Sequence, residues 1–96
     1  MTGFVLSPLA QADLRDIWDY TADKWGLDQA ESYLRVIEAA IKFVAAEPQR
    51  GRTADQIRLG YRKYLAGTHV LFYRLSPQGV DIVRILHQRM DFDRHL

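Results

Sequence analysis

Thr68–Asp91, THVLFYRLSPQGVDIVRILHQRMD, constrains this chain more than any other stretch. It reads as two strongly apolar strands, Val70 to Leu75 and Val80 to Leu86, around Ser76-Pro77-Gln78-Gly79. Proline presets φ and glycine tolerates φ > 0, which is turn chemistry, while β-branched and aromatic flanks favour strands over a helix. Side chains alternate across a strand. Val70 and Phe72 therefore oppose Leu71, Tyr73 and Leu75, and Val80, Ile82 and Leu86 oppose Val83 and Ile85. A sheet with one wet face alternates apolar with polar. Here both faces are apolar, so both need cover.

Helix is available for one of them. Ser7-Pro8 has the form of an N-cap followed by proline at the first helical position. Leu14, Ile17, Trp18, Thr21 and Trp25 then form one helical stripe, with Asp13, Asp16, Asp19 and Asp23 on the remainder and Gly26 as a stop. A second helix follows at once. Asp28 and Glu31 have capping-box spacing, Ala30, Leu34, Ile37, Ile41 and Val44 make its core stripe, and Pro48 closes it. So short a connection predicts an antiparallel helical hairpin. Residues 48–60 read as a loop, Tyr61–Ala66 as a strand, Gly3–Leu6 as a short strand, and the end of the chain as a polar tail of about one helical turn. The predicted fold is α+β: an N-terminal strand and a helical hairpin on a small antiparallel sheet, one domain over residues 1–96. The sheet face that the helices leave bare would need a partner, as an added strand or a docked helix.

Composition narrows the chemistry. The chain has no cysteine, which removes disulfides, thiolate metal sites and a cysteine nucleophile. His69, His87 and His95 are the only histidines; the first two can meet across the hairpin, but two ligands without a third make no metal site. Ser7, Ser32 and Ser76 lie outside any GxSxG elbow, and the glycines form no phosphate-binding loop. Asp16, Asp19 and Asp23 share a helical face and read as a solvated surface. No cofactor is expected. Met1-Thr2-Gly3 and the short Phe4-Val5-Leu6 do not make a signal peptide, and no run is long enough to span a membrane, so a cytoplasmic protein is expected.

The net charge of +1 hides an asymmetry. Residues 1–46 hold four Lys/Arg against seven acids, a balance of −3; residues 47–96 hold nine against five, +4. Arg50, Arg52, Arg58, Arg62, Lys63, Arg74, Arg84 and Arg89, with Tyr61, Tyr64, His69 and His87, fit two readings. They are edge charges around core tyrosines, or a surface for an anionic macromolecule such as RNA. Arg84, inside an apolar strand, is expected to face a groove or a carboxylate.

The order and spacing of several pieces resemble the ParE branch of the RelE/ParE toxin superfamily from Val5 to about Arg94. These are Ser7-Pro8 with Ala12, Leu14, Ile17 and Trp18, then Gly51-Arg52, then Leu86-His87 and Arg89-Met90-Asp91. The resemblance implies a toxin of a type II toxin–antitoxin pair, held inactive in a hetero-oligomer by a ParD-like ribbon-helix-helix antitoxin. Operator DNA would be reached only through that antitoxin. It further implies DNA gyrase as the target, inhibited by binding and without a catalytic residue. The sister RelE-like branch cleaves mRNA on the ribosome. Its members carry an arginine where this chain has Val70, and a late tyrosine or histidine; no tyrosine follows Tyr73 here. His87 with Arg84 or Arg89 is the only local set for that chemistry. An inactive toxin-fold binding module is a third possibility. Aromatic-anchor logic assigns antitoxin contact to Trp18, Tyr33, Tyr61, Tyr64, Val70 and Phe72. Target contact falls to the basic end of the chain, Arg84, His87, Arg89 and Asp91.

Overall fold

A computed structural model describes residues 3–96. Strand β1 (Gly3–Leu6) leads into α1 (Pro8–Trp25) and α2 (Leu27–Ala46). A single 3₁₀ turn, Pro48–Arg50, precedes β2 (Arg52–Thr53), β3 (Tyr61–Ala66), β4 (His69–Ser76), β5 (Gly79–His87) and a last turn of helix, α3 (Phe92–His95). The two-residue β2 lies inside the stretch expected to be loop.

Ser7 shows how the first helix is set against the sheet. Its hydroxyl oxygen accepts from Ala10 N at 2.9 Å and so caps α1, while its own proton is donated to the Val83 carbonyl at 2.7 Å. One residue, Gly26 at φ 94°, joins the helices. It ends α1 by donating to Ala22 O and opens α2 by accepting from Ala30 N. The expected Asp28–Glu31 capping box does not form. Asp28 already lies within the first turn of α2, where its charge favours the helix N-terminus, and Glu31 pairs with Arg35 instead.

The sheet runs β1-β5-β4-β3-β2. Strands β3, β4 and β5 are antiparallel as expected, the short β2 continues them in the same sense, and β1 adds to β5 in parallel, so the sheet is mixed. The helical hairpin is the reason: it carries the chain away from β1, which is then paired by the last strand rather than the next. On the helical side Leu71, Tyr73, Val80, Ile82 and Ile85 pack against Ala10, Ile17, Ile37, Ile41 and Val44. Each large side chain fully buried there contributes about 1.5–3 kcal/mol. Tyr73 also secures the turn after α2. Its hydroxyl donates to Pro48 O at 2.7 Å and accepts from Gly51 N at 2.8 Å, and burial raises its pKa. A side chain at Gly51 would strike that ring.

Two expectations fail here. Phe72 pairs with Arg84 but Tyr73 with Ile82, leaving Val83 as a bulged residue. The extra residue changes the alternation. Ile85 therefore joins Val80 and Ile82 under the helices, and Leu86 turns to the far face. That far face is not left for a partner either. Val70, Phe72 and Leu86 are buried beneath Ile57, Phe92 and Leu96 of the same chain. Phe92 meets Phe72 at a centroid distance of 4.8 Å and a tilt of 66°. The last turn is fixed by the Asp91 carboxylate, which caps it, by Arg84 Nη1 donating to His95 O at 3.0 Å, and by Arg58 donating to Leu96 O.

Phe92→Ala is therefore expected to lower stability by about 1–2 kcal/mol through loss of apolar burial and the ring pair. It should also increase binding of a hydrophobic dye. An unchanged denaturation midpoint with no gain in dye fluorescence would show that α3 does not cover this face.

Candidate functional site

The free half of β5 marks the site. β1 pairs only with Gly79–Ile82, so β5 has no strand neighbour on that side from Val83 onward. Asp13 takes the place of one. It lies on the α1 stripe with Ala10 and Ile17 and is the one buried charged residue among the described residues. Its Oδ2 accepts from Ile85 N and from Arg84 Nε, and its Oδ1 from Arg84 Nη2, each at 2.8 Å. The carboxylate raises the Arg84 pKa, the hydrogen bonds being the largest influence.

Above this edge α1, the start of α2, the end of β5 and the C-terminal segment enclose a groove of about 790 Å³. Tyr20, 61% exposed, and Trp25, 69% exposed, stand along it with Met90. Its inner wall is a polar cluster. Tyr33 Oη and His69 Nδ1 are 2.6 Å apart, Thr68 N donates to Tyr33 Oη at 3.0 Å, and the His69 and His87 rings meet edge-on at 5.3 Å. Desolvation, and after it the neighbouring His87, lowers the His69 pKa to about 4, against a smaller opposing pull from Asp13. His69 is thus neutral at pH 7.

The anticipated site residues separate into several places. Tyr33, Arg84 and His87 share the groove wall. Trp18 is half-buried on α1. Tyr61 is half-buried at the start of β3, and Tyr64 is packed against the main core and the Phe43 ring. Val70 and Phe72 do not meet the exposed-anchor premise: Phe72 is 0% exposed and both are roofed by the chain itself. Arg84 is held by Asp13 and His95 rather than presented to solvent. Arg89 is exposed in the turn after β5, and Asp91 is engaged in capping α3 and pairing with Arg94 at 3.6 Å. Sequence reasoning passed over Asp13, Tyr20, Trp25 and Met90 as site residues. For Asp13 a signal existed, since it stands at i+3 from Ala10 and i−4 from Ile17, on the buried stripe.

His69 gives a pH test. Its folded-state pKa lies below the usual 6.5, so between pH 6.5 and about 4 the unfolded chain binds the proton and the folded chain resists it. Stability should fall as pH drops through that window and be retained above it. His69→Gln should flatten the difference in denaturation midpoint between pH 7 and pH 4.5; an identical slope in both proteins would remove His69 as the cause.

Comparison with known proteins agrees with the family resemblance. Residues 4–92 match the family model of the ParE toxin of type II toxin–antitoxin systems, parDE. Toxin ParE1 of Mycobacterium tuberculosis (strain ATCC 25618 / H37Rv) is 58% identical over 94 residues, which cover 97% of this chain and 96% of that protein. Toxin ParE1 of Caulobacter vibrioides is 43% identical over 96 residues, 100% of this chain and 99% of the relative. A solved structure of the chromosomal ParDE TA system from P. aeruginosa superposes with a TM-score of 0.77 at 20% identity, over 88% of this chain and 94% of that one, and shows the same fold. The chain belongs to the ParE family of type II toxins.

Proposed function

We propose that this toxin acts by binding DNA gyrase, without chemistry of its own, and that a ParD-like antitoxin neutralises it by occupying the groove beside α1 and α2. Family membership supports the pairing, since ParE and ParD are named together in the related system. The observation that carries the rest is the commitment of Arg84. Cleavage of RNA needs a cation free to hold phosphate next to a general base. Of the two cations near His87, Arg84 has its guanidinium already engaged by Asp13 and His95 O, which leaves only Arg89, exposed in the turn two residues on rather than held on the groove wall.

The groove favours a protein segment. Tyr20 and Trp25 are large, exposed aromatics beside a concave surface, the residue types that anchor interfaces. An amphipathic helix laid along α1 would bury both. Operator DNA would then be contacted only by the antitoxin. Arg89, exposed and not among the residues that line the groove, is left for the target.

A single experiment addresses both parts. Purified toxin is titrated into a gyrase supercoiling assay and, separately, into ribosome-programmed mRNA, each with and without antitoxin. Supercoiling should be lost, mRNA should stay intact, and antitoxin should restore activity. Trp25→Ala should still inhibit gyrase but need at least tenfold more antitoxin, as expected for an anchor worth about 2 kcal/mol. Codon-dependent cleavage with supercoiling unaffected would reverse the assignment.

A further inference from the structure

On the far side of the sheet lies a second groove, of about 530 Å³, lined among others by Arg50, Arg52, Lys63, Leu65, Val70 and Phe92. Among the described residues, no acidic one lines it. Arg52 and Lys63 are register partners across β2 and β3, so their side chains leave the same face of the sheet. Residues opposed in this way have Cβ atoms about 4.5–5.5 Å apart, and like charges there are destabilising. Neither takes part in an ion pair among the described residues. Arg50 is fixed beside them. Its guanidinium stacks 3.9 Å above the Phe43 ring, donates to Phe43 O at 2.9 Å and pairs with Glu47 at 3.2 Å. Two opposed cations without an acid partner, beside an Arg50 already answered by Glu47 and around an apolar floor, form a site whose missing component is negative charge.

We propose that this groove binds the phosphodiester backbone of nucleic acid. Arg52 and Lys63 meet phosphate oxygens, and the exposed Leu65 (57%) with Phe92 supports a sugar or base. A nucleic-acid strand repeats its charge every 3.4 Å of helix axis, which suits closely opposed cations. An acidic peptide fits less well, because an extended chain gains affinity by pairing with a free strand edge. At Arg62 and Lys63 that edge is taken by β2, which leaves only residues 64–66 of β3 and the two-residue β2 itself open to an added strand. The inference goes beyond gyrase inhibition and does not depend on it.

The test uses the whole free chain and labelled 20-nucleotide single-stranded DNA, duplex DNA and RNA of one sequence, with fluorescence anisotropy followed from 50 to 200 mM salt. Saturable, salt-weakened binding is expected. The double variant Arg52→Ala, Lys63→Ala should bind on the order of tenfold more weakly per cation at about 0.1 M salt. Its log–log salt slope should be shallower by about 1.8 on duplex or about 1.4 on single strands. Arg35→Ala, an exposed cation on α2, should bind as the parent does, and circular dichroism reports that each variant is folded. A preference for one polymer supports the proposal and identifies the source of the backbone. It is overturned by no saturable binding to any of the three, or by a parental slope in the double variant. Equal competition by polyglutamate at matched charge also overturns it, and makes an acidic protein segment the occupant.

Discussion

One carboxylate holds the functional half of this molecule together. β5 outruns its neighbour β1 after Ile82, and its exposed edge must be satisfied by something other than a strand. Asp13 supplies that from a helix, accepting the Ile85 amide and both arms of Arg84. Arg84 in turn reaches the carbonyl of His95. Helix, strand and chain end are thereby registered on a single anion. With side-chain exposures of 15% for Arg84 and 11% for Asp13 the pair is largely desolvated, and losing one partner costs about 3–5 kcal/mol.

The pair also decides what the groove can do. A guanidinium fully engaged by a carboxylate is a structural cation, not a phosphate clamp, so of the two arginines near His87 only the exposed Arg89 is free of such an engagement among the described residues. What remains is a concave surface with large exposed aromatics, suited to holding another protein. The opposite side of the sheet differs in kind. The last turn of helix buries its apolar residues, and beside that roof stand Arg52 and Lys63, which no acid answers among the described residues. The two faces of the sheet thus present two surfaces of different chemistry.

Local patterns were legible in the sequence. Ser7-Pro8, the apolar stripe of α2 and the turn at Ser76–Gly79 appear where propensity and periodicity place them, because each is decided within a few neighbouring residues. The stripe of α1 is rotated from the expected one, with Ala10, Asp13 and Ile17 buried and Trp25 exposed. Arg84 was readable as a residue seeking a groove or a carboxylate, and it has found both. The losses are non-local. Asp13 is one of four aspartates on α1, and only its position on the buried stripe separates it from Asp16, Asp19 and Asp23. The bulge at Val83 follows from pairing, and it reassigns Ile85 and Leu86 between the faces. Phe92 and Leu96 sit in a tail with no periodicity, yet they close the face that seemed to demand a partner. Val70 and Phe72, assigned to antitoxin contact by aromatic-anchor logic, lie beneath that cover instead.

The central claim, that Asp13 stands in for a missing strand, is tested most directly by amide hydrogen exchange at Ile85. In the parent protein that amide should be protected as well as those paired in the middle of β4 and β5. In Asp13→Ala, under conditions where circular dichroism shows a folded chain, its protection should collapse while the paired amides keep theirs. An Ile85 amide that exchanges equally slowly in both proteins would contradict the account.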